Sequence, residues 1–508
     1  MTTTPEPAAG AALDPVIAAG AAEHRLHPMS WLFVLLQQLR HFVLPLVVLF
    51  VFGRGDRNEL WGLIGVGVLA LVSVWQYFTY RYGVAGDRLV VRSGLLERSL
   101  RVIPFARIHN VALRQSLLHR LFGVAEVRLE SAGGTRPEAE MRVLKLQDAL
   151  ALESLIRRRG AEAATAEGAS AGTPRALLSM PLAEVVRLGL ISNRGMIVVG
   201  AGFAAVAQFD ERLLGDGMEW LGRRIAGSVD LAHFGPRDYV LGALALIVAA
   251  VAALRMFSVA LALLQYHGFT LSEDGARLTV ERGLLARLRT SAARRRIQAW
   301  TLRESVLHRL FGRRTLSVDT AVTENGQQGE GRALRELAPV ATPAACDALI
   351  EHLLPRARWR ELAWQPLATR HWWRLWWPSL LVAGALAAAL GWRFGAPGAL
   401  VLLWLPWSAL VARRHLRHAG YTLDEHVIAV REGWWSRHWR CAEVDKLQAL
   451  RLAQNPLDRR CGTATLWLDT AGAGPFSPPL RIRFLPAAEA RALYDALAAR
   501  MAARPMRW

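Results

Sequence analysis

Only three cysteines, Cys346, Cys441 and Cys461, occur in the 508 residues. Three thiols cannot build a disulfide framework, which fits a reducing compartment, and with no CxxC pair or zinc-ligand spacing no structural metal site is expected. Lysine is nearly missing too: Lys145 and Lys446 are the two, so almost all of the 62 basic side chains are arginine. The chain also lacks a G-x-S-x-G elbow, a P-loop and any G-x-G-x-x-G that opens a helix after a strand, which removes the commonest hydrolase and nucleotide-binding readings. The leading residues Met1–Glu23 are rich in Ala, Pro and Thr without a basic stretch ahead of an apolar one, so they read as a disordered tail rather than a signal peptide.

What the chain has in quantity is apolar sequence and positive charge. Hydrophobic residues make up 53% and mean hydropathy is +0.20, yet the formal charge is +20. That combination implies membrane spans separated by basic domains. Six apolar stretches run over Trp31–Phe52, Leu60–Tyr80, Leu188–Phe209, Tyr239–Leu264, Leu375–Trp392 and Ala399–Ala412. Most approach the roughly 20 residues a helix needs to cross ~30 Å of hydrocarbon. The last is short, and Pro406 is expected to kink it. The turns joining partners (53–59, 210–238 and 391–398) make three hairpins whose large connecting domains share one side. Segments 82–189, 265–370 and 412–508 hold 18 more basic than acidic residues, whereas the hairpin turns hold 7 basic against 8 acidic. The positive-inside rule therefore predicts domains and both termini in the cytoplasm of a multi-pass membrane protein.

The domains are copies of one another. Gly94-Leu95-Leu96 followed by Ser116-Leu117-Leu118-His119-Arg120-Leu121-Phe122-Gly123 returns as Gly283-Leu284-Leu285 followed by Ser305-Val306-Leu307-His308-Arg309-Leu310-Phe311-Gly312. A worn third copy reads Gly433-Trp434-Trp435 and then Asn455-Pro456-Leu457-Asp458-Arg459-Arg460-Cys461-Gly462. The offsets are 189 and 150 and extend without gaps to the acids Glu130, Asp319 and Asp469. A fixed internal period defines the architecture before any single residue does. Each copy opens with alternating β-branched sequence, turns at a glycine step, continues through further strands, passes a short helical turn ending at Gly123, Gly312 or Gly462, and closes on an amphipathic helix (146–159, 344–354 and 487–502).

The Tyr80-x-Tyr82 lead-in, the turn Arg92-Ser93-Gly94-Leu95-Leu96, the stretch Ile103-Pro104-Phe105-Ala106-Arg107-Ile108-His109-Asn110-Val111 and the Leu-His-Arg-Leu-Phe-Gly block resemble those of the YdbT-type bacterial membrane-flanked PH-like proteins (bPH2, formerly DUF304). The likeness runs from His27 to Ala502. It implies an integral membrane protein in which six transmembrane helices, as helical hairpins, alternate with three small α+β PH-like domains. Each domain is then an antiparallel barrel of seven strands plugged by a C-terminal helix. The expected layout is a tail (1–26), hairpin (27–81), domain (82–160), linker (161–180), hairpin (181–264), domain (265–358), hairpin (359–412) and domain (413–504). The third copy departs from the pattern at Trp434-Trp435, Gln454-Asn455-Pro456 and Asp458.

Candidate sites are few. His119 and His308 recur without a metal-ligand neighbour, and Asp458 replaces them in copy three, so a locally hydrogen-bonded histidine is the expectation. Ser116 and Ser305 lack a base, and copy three has Asn455 instead. Glu130, Asp319 and Asp469 fall singly and are expected to pair with Arg120, Arg309 and Arg459. No catalytic residue, cofactor or metal is assigned, and the chain is not read as an enzyme. Arg294, Arg295 and Arg296 are the leading candidate for a lipid or partner surface, each worth about 1 kcal/mol beside an anionic bilayer. The run Arg157–Arg159 ends a helix and suits its dipole. Trp434, Trp435 and Trp439 crowd one hairpin and either dip into headgroups or fill a barrel. Arg40, Arg194 and Arg374 recur at the hairpin lead-ins as interfacial anchors that snorkel to headgroups, alongside an aromatic belt of Trp372, Trp373, Trp376 and Trp377.

These features favour a non-enzymatic membrane scaffold. Its three domains would bind anionic phospholipid headgroups or partner proteins, with tethering supplying avidity. The resemblance implies a smaller single-domain PH-like membrane protein as partner and a part in envelope maintenance or tolerance to membrane-active peptides. Nucleic acid is not expected, because exposed aromatics do not interleave with the basic runs. A transport or export component is the alternative.

Overall fold

The computed structural model describes residues 24–25, 27–33, 79–93, 99–105, 108–131, 139–162, 175–209, 235–320, 335–472 and 477–503, with a few single positions between. The first hairpin, with its spans 31–52 and 60–80 and Arg40, lies largely outside the described residues.

Strands β1 (His24–Arg25), β2 (Arg81–Ala85), β3 (Arg88–Ser93) and β4 (Ser99–Pro104) form a four-stranded antiparallel sheet. Strands β5 (Ile108–Gln115), β6 (Val124–Ser131) and β7 (Ala139–Lys145) follow, and helix Leu146–Glu162 closes the first repeat. The second repeat has β8 (Arg175–Ser179), β9 (Thr270–Asp274), β10 (Arg277–Arg282) and β11 (Arg287–Ala293), then β12 (Ile297–Ser305), β13 (Arg314–Thr320) and β14 (Glu336–Ala341), then helix Pro343–Leu353. The third has β15 (Gln365–Pro366), β16 (Gly420–Leu423), β17 (Val427–Glu432) and β18 (Ser436–Glu443), then β19 (Leu447–Ala453), β20 (Thr463–Thr470) and β21 (Arg481–Pro486), then helix Ala487–Ala502. Each repeat is thus four strands plus three, packed as two layers under a helix.

Alternation places one face of each strand inside. Leu89 and Val91, Leu278 and Val280, and Ile428 and Val430 occupy matching positions and enter three separate cores. Each fully buried aliphatic side chain contributes roughly 1.5–3 kcal/mol to these cores. The short helices Leu117–Leu121, Val306–Leu310 and Pro456–Cys461 are capped by Ser116, Ser305 and Asn455, and stop where Gly123, Gly312 and Gly462 take left-handed φ of +64°, +59° and +66°. Glycine adopts that region without the Cβ penalty.

Two features depart from the sequence layout. The first strand of each four-stranded layer precedes the hairpin: β8 falls in the stretch read as a linker, β1 in the tail and β15 inside the third hairpin. The hairpin is therefore an insertion between strands one and two of its domain. The sheets are also shared between repeats. β5 pairs with β11, giving a seven-stranded sheet ordered β7-β6-β5-β11-β10-β9-β8, and β12 pairs with β18 in a second sheet ordered β14-β13-β12-β18-β17-β16-β15. The three domains form one edge-linked row rather than three closed barrels.

Among the described residues, three helices are long and apolar enough to cross a membrane: Val240–Tyr266, Thr369–Phe394 and Ala396–His418. Arg194–Ala204 is a shorter apolar helix. The last long helix begins as a 3-10 run, Ala396–Leu403, and becomes α-helical at Trp404, so Pro406 sits in the first α-turn, where its missing N–H costs least. Helix Leu182–Ile191 packs so closely on the long helix that a Cβ on Gly189 would lie 2.4 Å from Val259 Cα. Only glycine permits that approach.

Candidate functional site at the domain junctions and the membrane-proximal face

At the second junction, strand pairing sets Thr301 opposite Arg440 and Leu302 opposite Trp439. Arg440 is 2% exposed; its Nη2 donates to Asp319 Oδ2 at 2.6 Å and its Nη1 to Thr301 Oγ1 at 3.0 Å. Ser477 Oγ donates to the other Asp319 oxygen at 2.7 Å, and Arg335 stands 3.5 Å from it. The recurring acid therefore pairs across the junction and not, as its spacing suggested, with Arg309. Arg309 Nη2 instead reaches the Trp435 carbonyl at 3.5 Å, and its counterpart Arg120 donates to the Leu284 carbonyl at 3.0 Å. Both contacts join the short helix of one repeat to the hairpin tip of the next. At the first junction, buried Thr290 takes the place of Arg440.

Those tips adjoin the membrane helices. The Gly283 N–H donates to the His267 carbonyl at 2.9 Å and the Leu284 N–H to the Leu264 carbonyl at 3.0 Å, where helix Pro236–Tyr266 ends. Leu284 and Leu285 are 38% and 43% exposed. In the third repeat Trp434 and Trp435 lie 6.1 and 6.0 Å from the ring of Trp407 on the last apolar helix, and Arg414 stacks over Trp434 at 5.8 Å. The short helices add exposed Leu117, Leu118, Leu121 and Leu310. Phe33, at the first hairpin's start, packs 4.2 Å from the His119 ring. Trp439, by contrast, is half-buried in the junction with Arg314 over its ring at 4.9 Å. The repeated motif is thus an apolar fringe around the places where the chain enters and leaves the apolar helices.

The hairpin arginines face protein groups. Arg374, expected at the headgroups, is buried: Nη2 donates to Asp458 Oδ1 at 2.7 Å, Nη1 to Thr463 Oγ1 at 2.9 Å, and its guanidinium lies over Phe484 at 4.5 Å. Burial raises the Asp458 carboxyl, but hydrogen bonds from Thr463, Arg374 and the Asn455 amide outweigh it and hold the group below the usual carboxylate range. Arg194 pairs with Glu336 at 2.7 Å and stacks on Tyr266 at 4.7 Å. Arg255 donates to the Leu190 and Ser192 carbonyls at 2.9 and 3.1 Å, satisfying the break between helices Leu182–Ile191 and Arg194–Phe209. Arg194 and Arg374 thus latch the second and third hairpins to their domains. Of the tryptophan belt, Trp373 and Trp377 are exposed, Trp372 packs on the third core, and Trp376 donates to Ser408 Oγ at 3.1 Å.

The basic turn Arg294–Arg296 is a 3-10 turn between β11 and β12. Arg294 donates to the Leu353 and His352 carbonyls at 2.8 and 3.2 Å and so caps the closing helix, a structural role not legible in the amino-acid pattern. Lys446 Nζ reaches the Arg295 carbonyl at 2.7 Å across the junction. The Arg295 side chain is exposed, and Arg296 is pushed down to about 10 by burial and by the charges of Arg295 and Arg277. Arg295 and Arg296 therefore form a positive corner with no acidic partner among the described residues. The side chains of Arg157–Arg159 lie outside the described residues.

Little of this is chemistry in the catalytic sense. Ser305 Oγ lies 2.7 Å from His308 Nδ1, and Ser116 Oγ 2.6 Å from His119 Nδ1. In the third copy the Asn455 N–H donates to Asp458 Oδ2 at 3.1 Å. Histidine and aspartate thus fill the same place in a reciprocal helix cap. Burial pushes the His308 imidazole below its ordinary value. Cys346 and Cys441 are buried and pushed up to about 12. Among the described residues no group of His, Cys, Asp and Glu is arranged to hold a metal ion.

The profile of the Bacterial PH domain family matches three times, over residues 32–160, 224–353 and 379–501. A curated relative, the UPF0699 transmembrane protein YdbT of Bacillus subtilis (strain 168), is 24% identical over 338 residues, 62% of this chain. The aligned region spans 66% of that relative's length. No solved structure matches the chain. With three matches covering most of its residues, one on each repeat, the chain belongs to the Bacterial PH domain family as a three-copy transmembrane member.

Proposed function

We propose that the protein is a non-enzymatic scaffold of the bacterial inner membrane, with six spans and its row of PH-like domains on the cytoplasmic face. The row would present its positive corner at Arg295 and Arg296 and its membrane-proximal fringe to anionic phospholipid headgroups and to partner proteins. The carrying observation is the shared sheet: with β5 joined to β11 and β12 to β18, the domains are held in fixed order, the second and third latched to their own hairpins by arginine. Fixed geometry is what lets weak sites act together. The apolar tips at Leu284–Leu285 and Trp434–Trp435 suit the headgroup layer, where tryptophan and leucine next to arginine are stable. A part in envelope maintenance or tolerance to membrane-active peptides, and a smaller single-domain PH-like membrane partner, belong to the same proposal.

Strand sharing decides how to test it. A single domain cut from the row loses a sheet partner, so the intact chain is the material. Reconstituted in mixed vesicles and re-extracted, it should retain phosphatidylglycerol over phosphatidylcholine, and Arg295→Ala with Arg296→Ala should lower that selectivity. Unchanged selectivity would remove the corner from the proposal.

A further inference from the structure

The two internal junctions share one strand register and differ in charge. An offset of 150 carries the cross-strand pair of Glu281 with Arg289 onto Arg431 with Trp439. Offsets of 189 and 150 carry Gln115 with Arg287 onto Glu304 with Arg437. At the first junction arginine meets acid: Arg289 Nε stands 3.4 Å from Glu281 and 3.6 Å from Glu153. At the second, Arg431 takes the place of Glu281, and His418, the last residue of the final apolar helix, takes the place of Gly268.

The positive groups gather around Trp439. Arg431 lies opposite it across β17 and β18, Arg437 sits two positions along β18 on the same face, and the His418 ring is 6.0 Å away. Arg309 comes from the short helix of the second repeat and reaches the Trp435 carbonyl, at the tip of the same hairpin, at 3.5 Å. The charges that act on the His418 side chain are all positive: Arg437, Arg431, Arg309 and His415. Arg437 has Glu304 at 4.0 Å, beyond hydrogen-bond reach, and Arg314 shares that carboxylate at 3.8 Å. Among the described residues neither Arg309 nor Arg431 has an acidic partner. The Nε atoms of Arg309, Arg431 and Arg437 and Nε2 of His418 are buried without a hydrogen bond. Buried donors without acceptors are costly, charged ones most of all.

These side chains are held for a purpose other than pairing with each other. The Arg431 guanidinium stacks over Trp364 at 5.0 Å and passes so near Gly420 that a Cβ there would lie 3.1 Å from its Nε. Burial alone pushes Arg431 below its ordinary value, whereas Arg313, bonded to Glu184, is held above it. Packing, not an acid, fixes the guanidinium. Its planar fork suits the oxygens of a phosphate group.

We propose that the second junction is a phosphate site, in which Arg309, Arg431 and Arg437 donate to the oxygens of one phosphate group beside His418. The group supplies the negative charge that Glu281 and Glu153 give Arg289 at the first junction, and it ties both repeats to the last apolar helix. Two sources carry this chemistry, a phospholipid headgroup and a free phosphate ester. Trp407, Arg414 and His418 fall at i, i+7 and i+11, so they share one stripe of that helix. The stripe leads from an apolar groove lined by Val382, Leu400 and Trp407 to the site, a path for a lipid with its chain against the apolar helices. The lipid source rests on the scaffold reading above; the phosphate site does not.

The test uses the full-length chain in maltoside detergent, with calorimetric titration of glycerol 3-phosphate and of dioctanoyl phosphatidylglycerol. Binding of glycerol 3-phosphate identifies a free ester as ligand, and binding of the lipid alone identifies the headgroup. Either supports the site when Arg431→Glu, the first junction's residue, weakens it by about tenfold or more. Arg437→Gln should also weaken it, and Arg287→Gln, at the matching place in the first junction, should leave it unchanged. Without ligand, Arg431→Glu should melt no lower than the parent, because it relieves like-charge repulsion. The bound probe should raise the melting temperature of the parent and not of the variant. Binding of neither probe, or equal binding in Arg431→Glu and Arg437→Gln, overturns the proposal. Vesicle selectivity at Arg295 and Arg296 is read separately, so either result can fail while the other stands.

Discussion

Arg440 holds Asp319 at 2.6 Å from a neighbouring repeat, with both side chains almost wholly removed from solvent. Removing one partner of a buried ion pair costs about 3–5 kcal/mol, because the remaining charge stays buried without compensation. Arg440→Ala should therefore loosen the second junction by an amount in that range, and Asp319→Ala combined with it should cost less than the two single changes together. Limited proteolysis and thermal unfolding of the detergent-solubilised chain measure both. Additive costs would show that the pair is not coupled.

The Asp458 carboxyl is lowered in the folded protein, so its contribution is present above the unfolded carboxylate range, about 3.9, and is lost as pH falls through the lowered value. The latch between Arg374 and the third domain should be indifferent to pH between 5 and 8 and released in stronger acid. Asp458→Asn preserves the side-chain acceptor but not the charge, and should weaken the third domain across the whole range. Hydrogen exchange at Asn455–Gly462 reads this directly. The His308 cap follows the other ionisation: the imidazole is lowered by burial, so its contribution is full above the unfolded value of about 6.5 and is lost as pH falls through the lowered folded value. His308→Asp, the third repeat's solution, should hold that cap in mild acid.

Thiol reactivity offers a check on the cores. With Cys346 and Cys441 buried and pushed up to about 12, alkylation at pH 8 should modify Cys461 alone until the protein unfolds. Rapid labelling of Cys441 in the folded chain would mean that the second junction opens.

Sidedness follows from the proposed topology. Glu219→Cys, in the turn of the second hairpin, should react with an impermeant maleimide added to intact cells, and Arg360→Cys, after the second domain, only after permeabilisation. The reverse pattern would place the domain row outside.

Much of this architecture was legible in the chain. The offsets of 189 and 150 aligned the strands, the glycine stops and the positions of Ser116, Ser305 and Asn455 before any contact was known, though not the capping role of those three side chains. Strand sharing was not legible, because the alternation of β5 is the same whether its neighbour belongs to its own repeat or to the next. The first strands β1 and β15 are two residues each and carry no period, and β8 reads Arg-Ala-Leu-Leu-Ser, which passes for a linker. The matching arginines Arg194 and Arg374 were visible, but their acids lie 142 and 84 positions away, so their inward role emerged only in three dimensions. Arg294 was read as a surface for the same reason: its acceptors are carbonyls, which sequence does not distinguish.

The placement of each hairpin between strands one and two of its domain fixes an order of assembly. As the chain leaves the ribosome, β8 appears first and has no mate until two apolar helices have been threaded into the bilayer and β9 has followed. The domain is completed only after its anchor is in place. A nascent chain that misses the insertion machinery is left with half-built sheets and open edges, conspicuous to the proteases and chaperones that remove failed products.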